Sequence, residues 1–353
     1  MTENHGTASA NSKTEAPSCA DHEGEMDKAL VTGGTGFVGS WMVAKLLEKG
    51  HEVHVFDKQI SDLKLLTTAC GDRAKEVILH SGDIAELGAV LEAVRAVDIV
   101  FHLAGVVEYD SKKRPLMEHV NVQGTATVVE ACKKSKTKRL VLMSSIAAIG
   151  FRSTPDLRYL VTEKDTYFVG KYDLGYFQTK HKAEDIVMDA VRKGELDAVA
   201  VNPTTIYGPG DAYKASRGQQ VKTAKGKNKF YSSGGVNVIH VEDAVEAIYK
   251  AYKLGKKGER YILGGDNLTI KDLLITIAEE AKAKPPSIYI PSFLLLFLGY
   301  FGLMGLTYER ALVATKFHWG DSSKARRELG ATFRPAREAI RASVHWMKAN
   351  GVI

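Results

Sequence analysis

Tyr176 and Lys180 stand four residues apart, a spacing that places both side chains on one face of a helix. A free phenol titrates near 10 and is a poor base at neutral pH. A neighbouring ammonium favours the phenolate and brings the group nearer the working range of a general acid or base. Such a pair can take a proton from a hydroxyl while hydride leaves the same carbon, or run the step in reverse. Tyr-x-x-x-Lys is common by chance, and its weight here comes from position. It follows Ser144 and Ser145, two hydroxyls at the end of the apolar run Arg139–Met143. If that run is a strand of a parallel sheet, the serines sit at its carboxyl end, where such sheets bind ligands.

A second constellation suits a dinucleotide. Gly33-Gly34-Thr35-Gly36-Phe37-Val38-Gly39 follows an apolar run and opens a helical pattern. The Gly33, Gly36 and Gly39 spacing lets backbone turn tightly and approach a pyrophosphate at the helix N-terminus. Asp57 lies eighteen residues past Gly39, at the end of the next apolar run. A carboxylate there accepts both adenosine ribose hydroxyls and repels a 2′-phosphate, which points to NAD. Lys58 beside it could pair with that phosphate, so NADP stays open.

These residues need a scaffold, and the hydrophobic pattern supplies one. Ala29–Thr32, His51–Phe56, Val77–His80, Ile99–Leu103, Arg139–Met143 and Ala198–Val201 read as strands, with helical periodicity between them. Phe37–Lys49 is a helix stopped by Gly50. Strands apolar at nearly every position are buried on both faces, so the fold class is α/β, a doubly wound parallel Rossmann sheet. After Asn202 the alternation breaks down. Tyr207–Gly235 reads as a long loop with one short helix, Val238–Val241 and Arg260–Leu263 as strands, and Glu242–Leu254, Ile270–Ala283 and Pro335–Asn350 as helices. The expected division is a dinucleotide-binding domain over 27–206 and 237–265, and a smaller, discontinuous C-terminal substrate lobe from 207–236 and 266–353.

Composition narrows the function class. Over 353 residues the net charge is only +6, and the lysine runs at 222–229 and 253–257 are short. Solvated loops account for them, and no nucleic-acid partner is expected. Cys19, Cys70 and Cys132 are odd in number and far apart, so neither a disulfide framework nor a metal site is expected. Residues 1–26 are polar, with no arginine and no apolar segment, and read as a disordered tail rather than a targeting signal. The expected compartment is cytoplasmic. One stretch qualifies this. Residues 287–308 carry no charge, and the core PSFLLLFLGYFGLMGL at 291–306 is long enough on paper to cross a bilayer. Pro291 and three glycines argue against a stable soluble helix. Three uses remain open: an apolar wall of the substrate lobe, peripheral membrane contact, or a span.

From about residue 28 to its end the chain resembles the extended short-chain dehydrogenase/reductase superfamily. It looks most like the dihydroflavonol-4-reductase-like proteins and the hopanoid-associated sugar epimerase group. The matching motifs are TGGTGFVG at 32–39, SGDI at 81–84, FHLAG at 101–105, NVQGT at 121–125, MSSIAAIG at 143–150, YFQTK at 176–180, NPTTIYGPGD at 202–211 and NVIHVEDAV at 237–245. RYILGGDNLTIKDLL at 260–274 and the terminal SSKARRELG and FRPAREAI extend the match. The resemblance implies a catalytic set of Ser145, Tyr176 and Lys180. It also implies adenine contacts from Asp83 and Ile84, and a cofactor lining of Leu103, Ala104, Gly105, Asn121, Pro203 and Thr205. His240 and Asp243 read as structural, while Arg217 and Glu108 are candidates to face substrate. Sugar-nucleotide epimerases of the superfamily carry an arginine seven residues before the aspartate of the V-x-D motif; here Val236 stands there. An apolar side chain cannot grip a phosphate.

The leading expectation is an NAD(P)-dependent oxidoreductase acting on a secondary alcohol or ketone of a bulky, apolar small molecule. Its look is dihydroflavonol-reductase-like or 3β-hydroxysteroid-dehydrogenase-like, and a homodimer is left open. The runner-up is an NAD-dependent sugar epimerase or dehydratase. A third reading is a non-catalytic dinucleotide-binding sensor, since a fold does not fix function.

Overall fold

Ala29–Thr32 has no polar side. Ala29 and Val31 pack into one hydrophobic cluster and Leu30 into another. Arg139–Met143 repeats the arrangement, with Val141 in the first cluster and Leu140 and Leu142 in the second. Alternate residues of these strands feed two cores, one on each face of a single sheet. The computed structural model that shows this describes residues 1–2, 26–58, 60, 62–213 and 217–353. All but the ends of the expected 1–26 tail lies outside the described residues.

The strands are β1 (Ala29–Thr32), β2 (Val53–Asp57), β3 (Ile78–Ser81), β4 (Ile99–His102), β5 (Arg139–Met143), β6 (Ala198–Pro203) and β7 (Thr205–Tyr207). They continue as β8 (Phe230–Tyr231), β9 (Gly235–His240), β10 (Arg260–Leu263), β11 (Asp266–Thr269), β12 (Ile288–Tyr289) and β13 (Phe317–His318). The helices begin with α1 (Phe37–Glu48), α2 (Lys64–Cys70), α3 (Leu87–Arg95), α4 (Arg114–Met117), α5 (Gly124–Ser135), α6 (Gly175–Arg192) and α7 (Gly218–Ala224). The rest are α8 (Val241–Leu254), α9 (Ile270–Ala281), α10 (Ser292–Tyr300), α11 (Tyr308–Ala314), α12 (Ser323–Leu329) and α13 (Ala336–Ala349).

Seven strands form the main sheet in the order β10-β6-β5-β4-β1-β2-β3, every pair parallel. The chain moves outward from β1 to β3 on one side and from β4 on the other. The switch point therefore falls between β1 and β4, and a crevice opens beyond their carboxyl ends. This is the expected Rossmann architecture.

The boundary of the second lobe runs differently from the sequence reading. β9 leaves the main sheet and pairs with β7, β11 and β13 in a smaller sheet, while β10 returns to the main sheet beside β6. The 237–265 segment therefore splits, with its first strand in the second sheet and its last in the first. Local pattern sees a strand in each case but not its partner. Val238, Leu273, Ile277, Ile340 and Val344 build the core of the small lobe between β9, α9 and α13. The 207–235 stretch holds α7 and β8 as well as loop.

The uncharged 291–306 stretch does not form one helix. It breaks after nine residues, and Gly302 and Gly305 take positive φ values of 65° and 71°. Among the described residues no helix is long and apolar enough to cross a membrane, which removes the span.

Candidate active site

The glycine loop sits against the end of β4. Gly33 has φ 72°, and a Cβ there would lie 2.8 Å from the backbone nitrogen and Cα of Ala104. A Cβ on Gly39 would lie 2.0 Å from the Gly33 carbonyl oxygen. Both positions require glycine, one for its φ and the other for close approach of helix to turn. Between this loop and the β2 and β4 ends lies a cavity of about 520 Å³. Its walls include Gly33, Gly36, Phe37, Val38, Gly39, Asp57, Lys58, Asp83, Ile84, Leu103, Ala104 and Gly105. The structure thus gathers twelve of the expected cofactor residues around one space. No side chain caps the N-terminus of α1 at Gly36, which suits a phosphate.

Asp57 is held by a residue the sequence reading passed over. Its Oδ2 accepts from the Thr35 backbone N–H at 3.2 Å and from the Thr35 hydroxyl at 2.6 Å, and Oδ1 accepts from Lys58 N–H. The glycine turn therefore fixes the rotamer of the acid beyond β2. Lys58 reaches along the same wall, where its Nζ donates to Asp83 Oδ2 at 3.1 Å. Asp83 also accepts from Ala85 N–H and pairs with His119 Nε2 at 2.9 Å. These donors, the Ala85 amide first, lower the Asp83 carboxyl to about 2. His119 sits 36 residues away on a π-helical turn, Glu118–Gln123, and no local signal linked the two.

Asn121, Ser145, Tyr176 and Lys180 do not line this cavity but adjoin it through Met143 and Gly105, which do. Lys180 Nζ donates to the Met143 carbonyl at 2.8 Å. Tyr176, Lys180 and Glu184 repeat every fourth residue along α6 and are all buried. Ser145 caps a short turn and accepts from Ala147 N–H, and its hydroxyl acts on the Tyr176 phenol to favour the ionised form. Asn202 joins these parts, donating to the Ser145 carbonyl at 3.0 Å and to Glu184 Oε2 at 2.6 Å. Glu184 is in turn paired with Arg260 at 2.9 Å. Glu184 went unread because a lone acid on a helix resembles any solvated charge; its burial exists only once β6 and β10 pack beside α6. Asn121 clasps the loop after β4 from both sides, accepting from Val106 N–H and donating to Val106 O. Ser144 is buried with its hydroxyl unpartnered.

Burial governs the electrostatics here. It pushes the Tyr176 phenol up, with the Ser145 hydroxyl opposing, and pushes Lys180 down to about 8, with Glu184 opposing. The expectation that the lysine ammonium directly draws the phenol down is not met in this geometry. Desolvation disfavours both charges and holds the pair toward its neutral forms.

Other expected residues are placed apart. Pro203 and Thr205 end β6 and begin β7 outside the cavity wall. Arg217 is buried, stacks 4.0 Å over the Tyr207 ring and donates to the Ile206 carbonyl, so it is structural. Glu108 lies 4.0 Å from Arg310. His240 caps α8, and Asp243 is bound by Arg334. Val236 packs against the small-lobe core.

Residues 30–272 match the 3-beta hydroxysteroid dehydrogenase/isomerase family. Sterol demethylase protein B of Methylococcus capsulatus is 28% identical over 339 residues, 92% of this chain and 99% of that protein. Dihydroflavonol 4-reductase of Solanum lycopersicum is 30% identical over 275 residues, 74% of this chain and 70% of that protein. The crystal structure of gox2253 is similar with a TM-score of 0.81 at 30% identity, covering 93% of this chain and all of that one. With its Rossmann sheet, glycine loop and Ser-Tyr-Lys cluster, the chain belongs to the 3-beta hydroxysteroid dehydrogenase/isomerase family of the extended short-chain dehydrogenase/reductases.

Proposed function

We propose that the chain is an NAD(P)-dependent oxidoreductase that moves hydride between a nicotinamide and a secondary alcohol or ketone of a bulky apolar molecule. The observation that carries this reading is that Lys180 bonds the carbonyl of Met143, a residue of the cavity wall, while Tyr176, one turn earlier on α6, sits in an apolar cluster. That cluster contains Met117, Phe151, Leu174, Phe177 and Leu312 around Tyr176, with Tyr109 edge-on to its ring at 5.8 Å.

Gly33, Gly36, Phe37, Val38 and Gly39 would hold the pyrophosphate, and Asp57, fixed by Thr35, the adenosine ribose. Asp83 and Ile84 would flank the adenine. Leu103, Ala104, Gly105, Asn121 and Lys180 would lie toward the nicotinamide half. NAD is the preferred form, because the Asp57 carboxylate, fixed by Thr35 at the cavity wall, would repel a 2′-phosphate. The nicotinamide, when bound, supplies the hydride acceptor or donor. Tyr176, kept neutral by burial, is ready to donate its proton to a substrate oxygen. Ser145 donates a hydrogen bond to the same oxygen as charge develops on it. Lys180 would hold the cofactor-side ribose. Of the nearby cations, Arg114 is paired with Asp173 and Arg310 lies 4.0 Å from Glu108, while Lys316 sits over the Phe151 and Tyr172 rings. An apolar substrate gains roughly 25 cal/mol per Å² buried.

One thermal-shift series tests both halves of the proposal. NAD should raise the midpoint more than NADP, and Asp57→Ala should narrow that difference. With NAD present, sterol, terpenoid or flavonoid alcohols should raise it further, and UDP- and GDP-sugars should not. Stabilisation by a nucleotide sugar alone would replace this reading with the epimerase.

A further inference from the structure

The apolar stretch after β12 has two sides. Its inner side is anchored: Leu295 is buried, Leu296 packs into the cluster around Tyr176, and a Cβ on Gly299 would meet Ala311 at 2.7 Å. Its outer side is bare. Phe293 is 75% exposed, Phe297 55%, Tyr300 74%, Phe301 58% and Met304 83%. Isolated exposed apolar residues are ordinary, but a contiguous aromatic patch marks a surface that is covered in use.

We propose that α10 and the turn after it insert into the interface of an anionic lipid bilayer. Three features favour lipid over a second protein chain. The first is shape. A Cβ on Gly302 or Gly305 would meet nothing within 4 Å, so the tip projects rather than forming a face to be matched. The second is length. Nine residues of helix reach roughly 14 Å, enough to lie in one leaflet and far too short to cross the hydrocarbon core. The third is charge. No charged residue falls between Lys284 and Glu309, whereas a protein interface has a polar rim that fixes its register.

The adjoining surface is cationic. β12 pairs with β8, and Lys229 O accepts from Ser287 and Ile288 N–H. This brings the turn after α7 against the approach to α10. Lys225, Lys227, Lys229, Lys282 and Lys284 are all exposed there, and none has a carboxylate partner among the described residues. The nearby acids are occupied, Glu279 by Arg337 and Glu280 by Arg337 and Arg341. Apolar insertion beside unpaired lysines is the arrangement that binds anionic interfaces. Because Leu296 touches the Tyr176 cluster, an inserted α10 would bring the catalytic end of the cavity to the lipid. Only that route for an apolar substrate depends on the proposed function; lipid binding does not.

The test is co-sedimentation of the full chain with phosphatidylcholine vesicles, with and without phosphatidylserine, in the absence of cofactor and substrate. The chain should pellet with the anionic vesicles and far less with the neutral ones, and added salt should weaken the binding. Phe297→Ser with Phe301→Ser should reduce partitioning by about tenfold or more. Lys227→Glu with Lys229→Glu should remove the preference for phosphatidylserine. All four positions are exposed, and circular dichroism should show an unchanged fold. Absence of vesicle binding, or binding indifferent to both double variants, would overturn the proposal. So would light scattering that shows a dimer which the aromatic variant dissolves, with no vesicle binding by either protein.

Discussion

Tyr176→Phe should lower the turnover number by roughly 10²–10⁴ while leaving dinucleotide affinity nearly unchanged. In the proposed reaction the phenol oxygen transfers the proton, and its ring is held independently of it. Met117, Phe151, Leu174 and Phe177 pack in its cluster, and Tyr109 meets its ring edge-on. Loss of the hydroxyl forfeits at most one side-chain hydrogen bond, worth about 1 kcal/mol, so the variant should fold. Single-turnover rates with saturating cofactor, set beside calorimetric binding, separate the two effects. A variant that turns over at the normal rate removes Tyr176 from the chemistry. A variant that loses cofactor affinity equally would instead make it a binding residue.

Gly39→Ala should be the most damaging single substitution at the cofactor end. The added carbon would sit 2.0 Å from the Gly33 oxygen and 2.8 Å from Gly34 Cα, both backbone atoms that no rotamer change can move. Either the turn opens or α1 shifts along the sheet, and each displaces the Thr35 clamp on Asp57. Forced overpacking of this kind costs about 1–3 kcal/mol. The expected result is a lower thermal midpoint together with at least about a tenfold loss of dinucleotide affinity. Gly88→Ala is the matched control: it is exposed on α3, and its Cβ would meet nothing within 4 Å. It should leave the midpoint unchanged or raise it, since alanine favours helix. Equal behaviour of the two variants would show that the glycine loop is not under the steric constraint described.

What the sequence disclosed divides along a physical line. β1, β5 and β10 were readable to the residue because strands buried on both faces are apolar at nearly every position. The glycine turn was readable because its constraint is local: strand, turn and helix are contiguous in the chain. The partners that hold the site are not. Thr35 reaches Asp57 across 22 positions, His119 reaches Asp83 across 36, and Asn202 reaches Ser145 across 57. Each looks like an ordinary polar residue until the sheet brings it home. β9 shows the same limit at the level of topology, since periodicity reports a strand but not the sheet it joins. α10 shows another. A segment apolar at every position has no moment to distinguish its inner from its outer side, and only packing against α11 and the Tyr176 cluster separates Leu295 from Phe297.

The electrostatic expectation failed for a related reason. Four-residue spacing places Lys180 beside Tyr176, and from spacing alone the ammonium should dominate the phenol. The folded site buries both groups and turns Lys180 to the Met143 carbonyl, so desolvation outweighs attraction.

Net cofactor turnover tests the central claim most directly. The purified chain, supplied with NAD and a panel of sterol, terpenoid and flavonoid secondary alcohols, is followed by nicotinamide absorbance, with the ketones and reduced cofactor as the reverse reaction. The expected result is stoichiometric conversion of cofactor and substrate with at least one apolar member, absent in Tyr176→Phe. Conversion of a sugar nucleotide without net change in the cofactor, and no reaction across the apolar panel, would contradict it.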